Sequence, residues 1–187
     1  MIRSFIAIDI PAGVKNMIAE AQFELKKTEA AVKWVKPDII HLTLKFLGNI
    51  EEDQIQPIKE KMIESAAGIP SFSMDVTHVG VFPNLRYPRV IWIGLEEKSG
   101  KLLTLQKNIE KNLESLGFDP EGRGFSPHLT IGRVKSAKGR GRLVNMLESK
   151  QNSHFNESIS VNEVNVMKSE LKVTGPIYTI LETIGLS

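Results

Sequence analysis

The apolar and polar positions of this chain switch repeatedly between a period of two and a helical period, which predicts alternating strands and helices. Alternation from Ile2 to Ile10 reads as a strand. Pro11 suits the first turn of a helix, and Val14, Met17, Ile18, Ala21 and Leu25 give that helix one apolar stripe. A short extended piece follows at Val32 to Val35. A strand is expected from about Ile39 to Leu47, ending at Gly48. Glu51 to Ala67 reads as a second helix, acidic at its start as the helix dipole prefers, with Ile55, Ile58, Met62 and Ile63 as its buried stripe. Phe72 to Phe82 alternates like a strand, Pro83, Asn84 and Pro88 mark a turn, and Val90 to Leu95 is dense enough in β-formers for a central strand. Leu102 to Leu116 is the third long helix, stopped by Gly117. Gly122-Arg123-Gly124 and Gly139 to Gly141 read as loops, and Leu143 to Leu147 as a short helix. Ile159 to Lys168 and Ile177 to Ile184 close the chain as strands, with Gly175-Pro176 turning between them.

Two of these strands carry the same phrase: His41-Leu42-Thr43-Leu44 and His128-Leu129-Thr130-Ile131. Strand side chains alternate between faces. His41 and Thr43 therefore share one face while Leu42 and Leu44 anchor the other, and the second copy repeats the arrangement. In each half a long helix precedes the His strand and another follows it. This echo predicts an α+β fold of two related lobes, each with helices against a sheet, and the two His strands near each other at the join.

Composition narrows the field. The chain has 187 residues, 41% hydrophobic and 25% charged, as expected of a globular protein with a sizeable core. No run of about 18 apolar residues spans a membrane. The N-terminal apolar run is interrupted by Asp9 and lacks a small-residue cleavage site, so it reads as a strand and not as a signal peptide. There are no cysteines, which excludes disulfides, thiol nucleophiles and cysteine-ligated zinc and suits a reducing cytoplasm. A net charge of only +2 does not suggest a general nucleic-acid coat protein.

The repeated residues suit phosphate chemistry. Near neutral pH one imidazole can be neutral while another is protonated, which suits paired general-base and general-acid catalysis. Opening a 2′,3′-cyclic phosphate needs both, because water loses a proton as it attacks phosphorus and the departing ribose oxygen gains one. Threonine hydroxyls can donate to nonbridging oxygens, and an arginine adds a cation shaped for phosphate. Arg133 lies five residues after His128, an odd spacing that puts it on the wrong face of an ideal strand; Gly132 permits the bend or bulge that would bring it round. Two strand histidines can instead bind zinc, but no convincing third ligand is placed with them. No G-x-x-x-x-G-K-[ST] loop is present, which argues against a P-loop nucleotide site.

The paired motifs resemble those of the 2H phosphoesterase superfamily. The stretches RSFIAIDIP, HLTLKFLGNI, GVFPNLRYPRVIWIGL and FSPHLTIGRVK are similar to the RNA 2′,3′-cyclic phosphodiesterase family, historically called 2′-5′ RNA ligases. The resemblance covers essentially the whole chain. It implies a single bilobal domain over residues 1–187, with two pseudo-symmetric lobes, sheets lining a central cleft and helices outside. It implies metal-independent, cofactor-free opening of a 2′,3′-cyclic phosphate at an RNA end to a 2′-phosphomonoester. By the same resemblance His41 is the proton donor to the leaving 3′ oxygen, His128 the acceptor that activates water, and Thr43, Thr130 and Arg133 hold the phosphate. Some relatives also join RNA ends through a 2′-5′ linkage without ATP, with a ribose hydroxyl replacing water. A monomer with no obligate protein partner is expected.

Other chemistry-bearing residues read more plainly. His78 and His154 lack the repeated context and read as ordinary polar residues. Arg86, Arg89, Lys135, Lys138, Arg140 and Arg142 either guide RNA or form a solvated surface, and the second reading is preferred for each. Phe46, Phe82 and Trp92 have faces on which a base can stack, but aromatics in apolar runs are expected in the core. An RNA-binding module that does not turn its ligand over, and a phosphodiesterase for small cyclic nucleotides, are the rival functions.

Overall fold

The computed structural model describes residues 1–122, 124–150, 154–173 and 175–186. Arg123, of the loop expected at Gly122-Arg123-Gly124, lies outside them. The elements run β1 (Ile2–Asp9), α1 (Ala12–Lys26), β2 (Val32–Trp34), β3 (His41–Ile50), α2 (Ile55–Ala66), β4 (Phe72–Phe82), β5 (Val90–Glu96), α3 (Lys101–Glu114), β6 (His128–Val134), α4 (Arg140–Lys150), β7 (Ser158–Val161), β8 (Glu163–Lys172) and β9 (Gly175–Gly185). Among the described residues no helix is long and apolar enough to cross a membrane.

The strands form two antiparallel sheets, ordered β3-β1-β8-β9 and β2-β6-β5-β4-β7. The first matches the stretch β6-β5-β4-β7 of the second, strand for strand. The sequence β1-α1-β3-α2 recurs as β5-α3-β6-α4, so the echo heard in the two His strands extends to their neighbours. The lobes are nevertheless not the two halves of the chain. β8 and β9 return from the C-terminus to complete the first sheet, and β2 extends the second. The helices are exchanged as well. The Gln22 amide of α1 donates to the Val35 and Ile131 carbonyls of the second lobe, at 2.7 and 2.9 Å. In return α3 packs on β3 of the first lobe.

Strand alternation decides what is buried. Ile6, Ile8, Leu42 and Leu44 point to the helix-covered side of the first sheet, and Leu129 and Ile131 do the same in the second; all are at most 3% exposed. Each fully buried aliphatic of this size contributes about 1.5–3 kcal/mol. The motif strands are thus held down by their apolar residues, which leaves the His and Thr faces for other use. One charge is buried beneath them: the Lys45 ammonium contacts the Glu110 carboxylate and donates to the Asp119 carbonyl at 2.8 Å. Glu110 also accepts from Gln106 and the Glu121 amide, so the cluster pins the segment ahead of β6 to the first lobe.

Several boundaries differ from expectation. β3 does not end at Gly48; the glycine adopts φ +73° inside the strand and pairs with Ser4. Glu51 starts a 3-10 turn, through a reciprocal cap with Gln54, and α2 proper begins at Ile55. Ile63 is 52% exposed, because the buried face of α2 runs through Ile58, Met62, Ser65 and Ala66. α4 is longer than expected: only Gly139 turns, with φ +68°, and Arg140 and Gly141 already belong to the helix. The run from Ile159 to Lys168 is broken at Asn162, where the chain leaves the second sheet as β7 and enters the first as β8. Gly175 and Pro176 belong to β9, paired with Lys172 and Leu171.

Candidate active site

β3 and β6 touch at the junction of the lobes, which brings the two repeated phrases to one cleft. Each strand carries a bulge at the same place in its phrase. On β3, Thr43 pairs with Ala7 and Lys45 with Ile6, so Leu44 is the extra residue. On β6, Thr130 pairs with Trp92 and Gly132 with Ile91, so Ile131 is extra. A bulge resets alternation. It moves Arg133 opposite Val90, onto the face that carries His128 and Thr130. The face change that the odd spacing required is therefore present. The same device puts Phe46, opposite Phe5, on the face of His41 and Thr43. Phe46 is accordingly 63% exposed and not a core residue, contrary to the expectation from its apolar surroundings.

The two imidazoles are held alike. His41 Nδ1 lies 3.0 Å from the carbonyl of Ile39, and His128 Nδ1 lies 2.7 Å from the carbonyl of Ser126. A carbonyl only accepts, so Nδ1 carries a hydrogen in both rings and Nε2 is left for chemistry. In each case the carbonyl belongs to the residue two before the histidine, just outside the strand. The local chain therefore sets both tautomers without help from distant residues.

Aromatic walls fix the ring planes. Phe5 stacks on His41 at 4.6 Å between centroids, and Tyr178 meets it edge-on at 5.1 Å. Ala7, between Phe5 and Asp9 on the same face of β1, leaves these rings room to converge. In the second lobe Phe82 lies edge-on to His128 at 5.1 Å, Trp92 stands 6.3 Å away, and Phe82 and Trp92 pack at 5.0 Å. Trp92 lies over Gly80 of the neighbouring strand, where a Cβ would come within 2.3 Å of the indole. The indole Nε1 is buried without a hydrogen-bond partner among the described residues.

The site's electrostatics are uneven. Burial holds His41 below the usual histidine range; its bond to Ile39 and the Asp9 carboxylate oppose this, and Lys15 adds to it. Lys15 is itself paired with Asp9 at 3.2 Å. Burial pushes the Tyr178 phenol up, against the pull of the Arg3 and Arg133 guanidiniums. The phenol therefore stays protonated through neutral pH. Among the described residues neither arginine has a carboxylate within ion-pair distance, and no group of three or more His, Asp or Glu side chains forms a metal-holding cluster.

The structure thus places His41, Thr43, His128, Thr130 and Arg133 on the cleft faces of adjoining strands. It adds Phe5, Tyr178, Phe82 and Trp92 as the rings' supports. Tyr178 and Phe5 come from strands that the motif does not mention, and no sequence spacing links them to His41. His78 is not isolated either: its ring stands 5.6 Å from Trp92, behind the second wall. His154 is exposed. Arg142 is taken up structurally, donating to the Thr28 carbonyl at 2.9 Å and to Glu29 at 3.2 Å. Arg86, Arg89, Lys135 and Lys138 lie at the surface.

A family model described as LigT like Phosphoesterase matches residues 8–92 and again residues 93–178, the same duplication seen in the sheets. A Methanothermobacter thermautotrophicus protein named RNA 2′,3′-cyclic phosphodiesterase is 37% identical over 185 residues, covering 99% of each chain. A Thermotoga maritima protein of the same name is 35% identical, covering 96% of this chain and 92% of its own. Among solved structures, the Thermus thermophilus protein TT0787 superposes with a TM-score of 0.82 at 28% identity, over 98% of this chain and 97% of its own. E. coli LigT complexed with 3′-AMP superposes with a TM-score of 0.81 at 24% identity, over 100% and 98%, and bears on the fold alone.

Proposed function

The chain belongs to the LigT-like phosphoesterases, and on that footing we propose that it hydrolyses 2′,3′-cyclic phosphate ends of RNA to 2′-phosphomonoesters. The observation that carries the reading is the duplicated His geometry: two rings on adjoining bulged strands, each with Nδ1–H tied to the carbonyl two residues back and Nε2 free. The names of the relatives supply the substrate class.

In this reading water adds to phosphorus as the bond from phosphorus to O3′ breaks. The proton lost by water goes to His128 Nε2, and His41 Nε2 gives its proton to O3′. Thr43, Thr130 and Arg133 hold the nonbridging oxygens, where negative charge builds in the transition state. His41 must then be protonated when substrate is bound. Burial disfavours that form in the free protein, and a phosphate anion beside Nε2 acts in the opposite direction. Substrate binding thus arms the acid. No cofactor or metal enters these steps. The same displacement with a ribose 5′-hydroxyl in place of water, its proton passing to His128 and O3′ again leaving with one from His41, would give ATP-independent 2′-5′ ligation. We further propose a cytoplasmic monomer, in keeping with a chain that has no cysteine to oxidise.

The test is incubation of purified protein with a cyclic-phosphate-ended oligonucleotide, with chelator and without ATP. A 2′-phosphate product supports the enzyme. Tight binding without product supports the binding module instead, and loss of turnover on chelation overturns metal independence.

A further inference from the structure

The cleft does not end at the catalytic phosphate. Lys33 of β2 pairs directly with Arg133, and paired residues share a face, so a lysine stands beside the arginine on the cleft side. From the first lobe the β8–β9 hairpin reaches the same place. A groove of about 350 Å³ is lined by Lys33 and by Leu171, Lys172, Val173, Gly175 and Pro176 of that hairpin. Arg3 points into this end as well. On β1 it shares the face of Phe5 and Ala7. One residue beyond the Ser4–Lys168 pair it comes level with Ser169, whose partner on β9 is Tyr178. The pull of Arg3 and Arg133 on the Tyr178 phenol agrees with this placement.

Three cations, Arg3, Lys33 and Arg133, thus converge from three strands and both lobes. Among the described residues none of them is neutralised by a carboxylate. Arg3 lies four residues along β1 from Ala7, the partner of Thr43, which is about 13 Å of strand. That offset, less the reach of an arginine side chain, puts the guanidinium beside the phosphate held at Thr43 and not on it, where the next phosphate of a chain leading out of the site would lie. The groove continues in the same direction and exposes Leu171 to 70%, giving an apolar surface next to the charges.

We propose that Arg3, Lys33 and the groove beyond them form a subsite for the phosphodiester preceding the terminal nucleotide, so that the protein takes RNA chains in preference to mononucleotides. The inference rests on the proposed reaction and narrows its substrate. A chain entering here lays its penultimate phosphate between Arg3 and Lys33, with Tyr178 at the boundary between the two phosphate sites. The contacts are to backbone charge and not to base edges, so the preference is for length and not for sequence.

The test compares adenosine 2′,3′-cyclic monophosphate with a short oligoadenylate carrying the same cyclic end, for the wild type, Arg3→Ala and Lys33→Ala. The wild type is expected to favour the oligonucleotide by about tenfold in kcat/KM. Each substitution should shrink that ratio by about threefold to fivefold, the value of one solvent-screened ion contact. Each should also flatten the salt dependence of the oligonucleotide reaction by a slope of about 0.7. Equal rates for the two substrates in the wild type would overturn the subsite, as would substitutions that slow both in proportion. Failure to turn over either substrate would instead overturn the reaction itself. The two variants lie on different sheets, so a folding defect in one leaves the other decisive.

Discussion

Gly80→Ala tests whether the wall behind His128 is fitted as the structure describes. A Cβ at this position would lie 2.3 Å from Trp92 Cη2 and Cζ2 and 2.7 Å from Cε2. All three distances are under the contact limit, so the indole or the strand must move. Trp92 is pressed against Phe82 at 5.0 Å and His78 at 5.6 Å, which leaves it little room to retreat. Overpacking of this kind costs about 1–3 kcal/mol, which for a chain of this length lowers Tm by about 2–12 °C. Movement of the indole also disturbs Phe82 and through it the His128 ring, so kcat should fall while the other lobe is untouched. The clashing atoms belong to the outer ring of the indole, which phenylalanine lacks. Gly80→Ala/Trp92→Phe should therefore be more stable than the sum of its single variants, with a coupling of about 1–2 kcal/mol. Urea and thermal unfolding of the four proteins in the cycle, with kcat on a cyclic nucleotide, give the answer. Additive effects, or a Gly80→Ala protein with wild-type stability and rate, would show that the wall is not fitted in this way.

Three further outcomes are expected. His41→Ala and His128→Ala should each lower kcat by about 10²–10⁴ with circular dichroism unchanged, and Thr43→Ala, Thr130→Ala and Arg133→Ala by less; full turnover in the double His variant would contradict the assignment. His41 titrates below 6.5 in the folded protein, so the unfolded chain binds the extra proton. Its contribution to stability is complete above pH 6.5 and is lost as pH falls through the folded value. His41→Asn should flatten the acid side of the stability profile in urea titrations across pH, and an unaltered profile would count against a buried imidazole. Lys45→Met leaves the Glu110 carboxylate, whose side chain is 14% exposed, without its ammonium and should cost about 3–5 kcal/mol. Adding Glu110→Gln should recover part of that loss, whereas a single variant as stable as the wild type would show that the pair bears no load.

The residues that announce themselves in the sequence are those whose arrangement is local. His-x-Thr alternation, the apolar residues beneath it and the β-forming run at Val90 depend only on neighbours in the chain, and each lies where the periodicity puts it. Arg133 was half legible: its odd spacing demanded a bulge, and Gly132 suggested where. The bulge at Leu44 had no glycine to mark it, so the exposure of Phe46 could not be foreseen. Tyr178 and Phe5 reach His41 only because β9 and β1 join the same sheet, and long-range pairing leaves no periodic trace. The break at Asn162 does leave a trace, because Ile159 and Val161 alternate one residue out of phase with Val164 and Val166 across Asn162-Glu163; what the pattern does not carry is the sheet that each strand joins. The exchange of α1 and α3 between lobes is invisible for the same reason: an amphipathic stripe says that a helix packs, not against which sheet.

The proposed chemistry requires both imidazoles to serve one phosphorus atom. That requirement can be watched through the ring ¹⁵N signals of the four histidines while inorganic phosphate is titrated in. The Nε2 signals of His41 and His128 are expected to shift together, with one Kd and a single phosphate bound, while their Nδ1 signals keep the pattern of a hydrogen-bonded N–H. Two histidines that respond with different affinities, or one that does not respond at all, would rule out a shared phosphorus.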